Sequence, residues 1–199
     1  MKTSRTPAIL LAIGLLIFLS HSTRAQNSNS STTTESGNPS QNMMLNSMDR
    51  KFMMEAAMGG KAEVAMARLA LERSSSDAVK QYAQQMIDDH TKAGDELAQV
   101  ASMKGVSLPM EPDAKHKAML AKMQQLSGAA FDAEYIKTAG VKDHEKMEKL
   151  FMSESSKGKD ADAKGFAAKT LPTVQAHLRM AREMTTGTMS GKKGTTMSH

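Results

Sequence analysis

The sequence predicts an all-α chain, two helical hairpins joined by a long crossover that carries a short helix, and three observations predict it. Aromatic residues make up only 4% of the 199 positions, with no Cys, no Trp and 19 Met. That balance disfavours strands, which draw on aromatic and β-branched side chains. Four long segments repeat apolar residues at steps of three and four, the period of a helix face turned to a core. The breaks between those segments are rich in Ser, Asp and Gly, the residues that start and stop helices.

The first helix runs from about Ser47 to Arg73, with Phe52, Met53, Ala56, Met66, Leu69 and Ala70 on its stripe. Ser47 and Asp49 provide its polar start, and Gly59 and Gly60 interrupt it at a cost near 1 kcal/mol each unless they admit a neighbour. Ser74-Ser75-Ser76-Asp77 ends that helix and caps the next. Helix two carries Val79, Ala83, Met86, His90, Ala93, Leu97 and Ala101 and stops at Gly105. Val106 to Pro112 is a linker, followed by a short helix over 113–125. A third long helix spans about Ala129 to Ser156 with Ile136, Gly140, His144, Met147 and Phe151 on one face. The fourth follows the turn Lys157-Gly158-Lys159-Asp160 and runs to about Met184; Pro172 inside it predicts a kink or brief restart near Leu171. Two hairpins with one long connection describe a ferritin-like four-helix bundle.

The ends read differently. Lys2 and Arg5 precede an apolar run from Ala8 to Leu19, and Thr23-Arg24-Ala25 places small residues at a cleavage site, so residues 1–25 read as a cleaved secretory signal. Twelve apolar residues fall short of the roughly 20 a membrane-spanning helix needs. Residues 26–46 and 185–199 are dominated by Ser, Thr, Asn, Gln and Gly and read as a disordered linker and tail around a bundle over 47–184. Loss of Lys2, Arg5 and Arg24 leaves 23 basic against 21 acidic residues, a net of +2 in place of +5. That is no footprint for nucleic acid. Without Cys, thiolate metal sites, iron–sulfur clusters, disulfides and lipoprotein acylation are excluded.

Four runs, 52–64, Met86-Ile87-Asp88-Asp89-His90-Thr91-Lys92-Ala93, Val141-Lys142-Asp143-His144-Glu145-Lys146 and 166–178 with its Lys169-Thr170-Leu171-Pro172 and His177, resemble the bacterial domain-of-unknown-function family 4142. The resemblance covers roughly residues 47–184 and implies a ferritin-like, exported protein, in a family often assigned to the outer membrane. It implies no established reaction.

Glu63, His90, His144 and His177 fall one on each long helix, and at 1.5 Å rise per residue they sit within roughly 10 Å of one height along a bundle. Neutral imidazole is the commonest metal ligand, and bundles build such sites from facing helices. A ferritin-like di-iron centre, however, needs Glu three residues before His. Those positions hold Ile87, Val141 and Val174. His–Asp bonds that tie helices together are the simpler expectation, with Asp88, Asp89, Asp143 and Glu145 on solvated faces or in supporting bonds. The methionines at helical spacing, Met152 among them, are expected to fill the core, with Cu(I) binding as the competing use.

No nucleophile elbow, phosphate loop, dinucleotide fingerprint or zinc-protease motif occurs. The leading expectation is therefore a non-enzymatic envelope protein, periplasmic or outer-envelope, acting through its helical surface in binding or stress tolerance. No cofactor is certain. The alternative is a metal-binding protein, for Fe, Cu or Zn, using Glu63, His90, His144 and His177 as ligands; self-association through methionine-rich faces is a third.

Overall fold

The computed structural model describes residues 45–187, so the signal segment, nearly all of the linker and most of the tail lie outside the described residues. Among these the fold is all-α. Helix α1 is Ser47–Arg73, α2 Asp77–Met103, α3 Ala114–Met123, α4 Gly128–Tyr135, α5 His144–Lys157 and α6 Ala161–Thr185; a π-helical stretch, Ile136–Asp143, joins α4 to α5. α4, the π stretch and α5 form the third long rod. α1 packs most extensively on α2, and α5 on α6, giving two hairpins with α3 in the crossover.

Local chemistry sets most of the ends. Ser76, Asp113 and Asp160 accept backbone N–H groups in the first turns of α2, α3 and α6. α1 is capped by Asn46, whose side chain accepts from the amides of Met48 and Asp49, and not by Ser47 or Asp49. Asp49 is instead fully buried and used elsewhere. α2 ends with Gly105 at φ 63°, and the bond from Val106 N to the Ala101 carbonyl closes the last turn.

The third rod departs from the expectation of a plain α-helix. Its π stretch brings Gly140 so close to α6 that an added Cβ would stand 2.8 Å from the Ala181 Cβ and 3.5 Å from the Tyr82 hydroxyl. Such widened turns recur at functional sites. Gly59 admits a neighbour in the same way: a Cβ there would collide with the terminal methyl of Met147 on α5. Gly60, by contrast, has open space beside it. α6 runs unbroken through Pro172, with no restart. Pro172 and Ala168 are both exposed, so water can take the carbonyl that the ring leaves without a donor.

Apolar packing falls into two clusters. One joins Met66, Ala70, Tyr82, Met86, Met123, Phe131, Tyr135 and Ala181. The other joins Phe52, Met53, Leu97, Phe151, Phe166 and Val174, with the Phe52 and Phe151 rings edge to face at 5.1 Å. Five methionines, Met53, Met66, Met86, Met123 and Met147, are buried as expected of core fillers, whereas Met152 is 49% exposed and fills no core. The residues between the clusters along α1, α2, α5 and α6 form a polar layer.

Candidate metal centre

The polar layer holds Glu63, His90, His144 and His177. Glu63 is 1% exposed, and His144 and His177 are fully buried. The three ring centroids lie 5.3 to 5.5 Å apart, and one nitrogen of each ring stands within 4.8 Å of one on each of the others. The structure thus brings together all four residues singled out in the sequence.

Two of the three rings are held from behind. His177 Nε2–H donates to Asp89 Oδ2 at 2.9 Å, a bond from α6 to α2 of the kind expected to tie helices together. His144 Nδ1–H donates to the Ala139 carbonyl at 2.8 Å, five residues back within the π stretch. A carbonyl and an ionised carboxylate only accept, so these contacts place the ring protons and leave a lone pair on the opposite nitrogen. His90 Nδ1 faces Glu63 Oε2 at 3.1 Å, and His144 Nδ1 lies 3.4 Å from Glu63 Oε1. Neither approach has hydrogen-bond direction, so both Glu63 oxygens lack a partner. Also unpartnered are His90 Nε2, His144 Nε2 and His177 Nδ1. The Tyr82 hydroxyl donates to the His177 backbone carbonyl at 3.4 Å, fixing α6 against α2 at the same level.

Burial dominates the electrostatics. It holds the His144 ring down at about 4 despite its bond to Ala139, and lowers His177 although Asp89 pulls the other way. His90 is lowered by burial and then by its two imidazole neighbours, while Glu63 is raised by burial and by the charge of Asp143. Every group is pushed towards neutrality. Neutral imidazoles with free lone pairs are metal ligands in waiting.

Two spaces adjoin the layer. An apolar cavity of about 510 Å³, lined among others by Ala56, Gly60, Leu97, Met147 and Phe151, reaches the ring of His90. A void of about 10 Å³ lies on the other side of Glu63, bounded by Gly59, His116, Asp143, Lys146 and Met147.

Two features escaped the sequence reading. His116, on the short crossover helix, is buried. Asp143 is buried too, not on a solvated face, with its Oδ2 3.8 Å from His116 Nε2. The only signal in sequence was a His three residues after the capping Asp113. Glu145 lies on a half-exposed face as expected and pairs across to Arg182 at 2.8 Å.

A ferritin-like helical bundle with a triad of imidazoles in a buried layer is the class that this fold and site define. The chain belongs to the family of the domain of unknown function DUF4142, whose model matches residues 34–184. In fold it is similar to a DUF305 fragment from Deinococcus radiodurans, at 11% identity and a TM-score of 0.62 over 70% of this chain and 96% of that one. It is similar also to a DUF305 protein from Streptomyces coelicolor, taken by its description to be secreted, at 12% identity and a TM-score of 0.60 over 74% and 97%. No curated protein matches the chain. Among the described residues no helix is long and apolar enough to cross a membrane.

Proposed function

We propose that this chain is an exported, non-enzymatic bundle that binds a transition-metal ion on His90, His144 and His177. One observation carries the reading: three buried ring nitrogens from three helices have no partner, while the opposite edge of each ring faces Asp89, the Ala139 carbonyl or Glu63. His144 and His177 are oriented as metal-binding histidines are, by an acceptor on the far nitrogen. Three imidazoles suit Zn, Cu or Fe. Ligands about 2.1 Å from a tetrahedral ion stand about 3.4 Å apart. From within 4.8 Å, small ring rotations close the difference. Glu63, its oxygens 3.1 and 3.4 Å from ring nitrogens of His90 and His144, would supply a counter-charge beside the bound ion. It need not be a direct ligand. The triad favours this reading over one in which the helix surface alone does the binding. Export rests on the signal-like Lys2 to Ala25 segment, and the bundle over 47–184 would be the working part, between the linker 26–46 and the tail 185–199.

The test is elemental analysis of the mature protein after equilibration with Cu, Fe or Zn, with thermal melts alongside. A ligand at 100 times its Kd stabilises by about 2.7 kcal/mol, a rise of roughly 8 °C for a domain this size. The expected result is a bound ion and such a rise, both lost in the His90→Ala/His144→Ala double variant. Equal metal content in the variant would refute the assignment.

A further inference from the structure

Apart from Glu63 itself, the polar groups that wall the void beneath it are not used by the imidazole centre. Asp143 is 6% exposed and His116 5%. Asp143 Oδ2 has no partner, and neither Glu63 oxygen has one. His116 Nδ1–H donates to Asp113 Oδ2 at 2.8 Å, while the same carboxylate side chain accepts the His116 backbone N–H at 2.9 Å through Oδ1 and so caps α3. That bond leaves the lone pair of His116 Nε2 turned towards Asp143 Oδ2, 3.8 Å away. Two lone-pair donors at that separation repel each other, and they stand only slightly wider than the roughly 3.4 Å edge of a tetrahedral shell with bonds near 2.1 Å, a difference that a small side-chain rotation closes.

We infer that this void is a second cation site, held by Asp143, His116 and Glu63, so that the bundle carries two ions with the Glu63 carboxylate between them. The volume of about 10 Å³ admits one water-sized sphere, enough for a single ion. Its walls include the carboxylates of Glu55, Glu63 and Asp143, which repel one another when charged. A water would leave that repulsion in place; a divalent ion cancels it. Lys146 lines the void as well, but its side chain is exposed and bonds neither Glu63 nor Asp143 Oδ2. The Asp113–His116 bond repeats the carboxylate–histidine arrangement seen at Asp89–His177. Two oxygens and one nitrogen make a harder donor set than three imidazoles, suited to divalent first-row ions such as Mn, Fe, Co and Zn. The crossover helix thereby gains a purpose, since it is α3 that delivers His116.

The site shares Glu63 with the proposed imidazole centre but takes its other ligands from different residues, so the two readings can fail separately. The experiment is zinc stoichiometry by elemental analysis and calorimetric titration on the mature protein and on three near-isosteric variants, Asp143→Asn, His116→Gln and His177→Gln, each checked for native helicity. His116 lies on α3 and takes no part in the proposed imidazole centre, which keeps the test sound if Asp143→Asn disturbs its neighbour His144. The expected result is two zinc ions per chain in the wild type and one in both Asp143→Asn and His116→Gln. One ion in the wild type, lost in His177→Gln and kept in His116→Gln, would overturn the second site and leave the first. Two ions unaffected by Asp143→Asn and His116→Gln would likewise overturn it. No bound zinc would overturn both.

Discussion

Two of the bundle's clusters of buried titratable side chains are built in different ways. At the end of the bundle where α1 begins, Asp49 accepts from the backbone amides of Lys159 and Asp160 at 3.0 and 2.7 Å and from Asn46 Nδ2 at 2.6 Å. Glu154 beside it is raised to about 7 by burial, and by Asp49 and Asp160, with Lys164 opposing. The two Glu154 oxygens make no hydrogen bond as they stand, but a protonated Glu154 has the Asp49 carboxylate beside it as an acceptor, so this cluster can close on itself by taking up a proton. In the imidazole layer the polar atoms outnumber their partners: three ring nitrogens and two carboxylate oxygens are left over. A buried polar group without a partner costs roughly 1–3 kcal/mol. The first region is a clasp for the turn between α5 and α6, and the second is shaped for something not supplied by the chain.

The comparison breaks most visibly at Asp49. Asp49→Ala strands two turn amides and the Asn46 side chain, and should cost about 3 kcal/mol, a fall of roughly 10 °C in Tm with or without metal. A thermal melt unchanged within 2–3 °C would show that the clasp carries no stability. The next effect is in pH, read on metal-free protein. Glu154, about 4.5 when unfolded and about 7 when folded, contributes stability that is full below 4.5 and lost as pH rises to about 7. His144, about 6.5 unfolded and about 4 folded, contributes stability that is full above 6.5 and lost as pH falls to about 4. The two slopes oppose each other in the wild type. In Glu154→Gln the difference in Tm from wild type should therefore grow steadily from pH 4.5 to 7, uncovering the acid sensitivity of the imidazole layer. A difference independent of pH would place Glu154 outside the clasp. The smallest effect belongs to the surface: Arg182 and Glu145 are both about half exposed, so Arg182→Ala should leave the melt unchanged within error. A clear loss would mean that outer ion pairs, and not the buried layer, hold α5 against α6.

Much of this was legible in sequence because it is local. Ser76, Asp113 and Asp160 act within one turn of themselves, and the stripes through Phe52, Met86, Phe151 and Val174 follow helical period, so helix limits and facing sides could be read directly. The convergence of His90, His144 and His177 followed from equal heights on inward stripes. What could not be read depends on contacts across the chain. The π stretch reflects how Gly140 meets Ala181 and Tyr82, none of which is near it in sequence. The burial of His116 and Asp143 requires α3 to dock against α1 and the third rod, an event that no periodicity encodes. For the same reason Asp89 could be set beside a histidine only once α6 was laid against α2.

Met147 is the one side chain that borders both the large apolar cavity and the small void, its methyl seated in the notch at Gly59. It is a partition between an oily chamber and a polar one. With no other side chain in both walls, the length of that one thioether sets the separation, and a shorter residue at position 147 would let the two spaces run together.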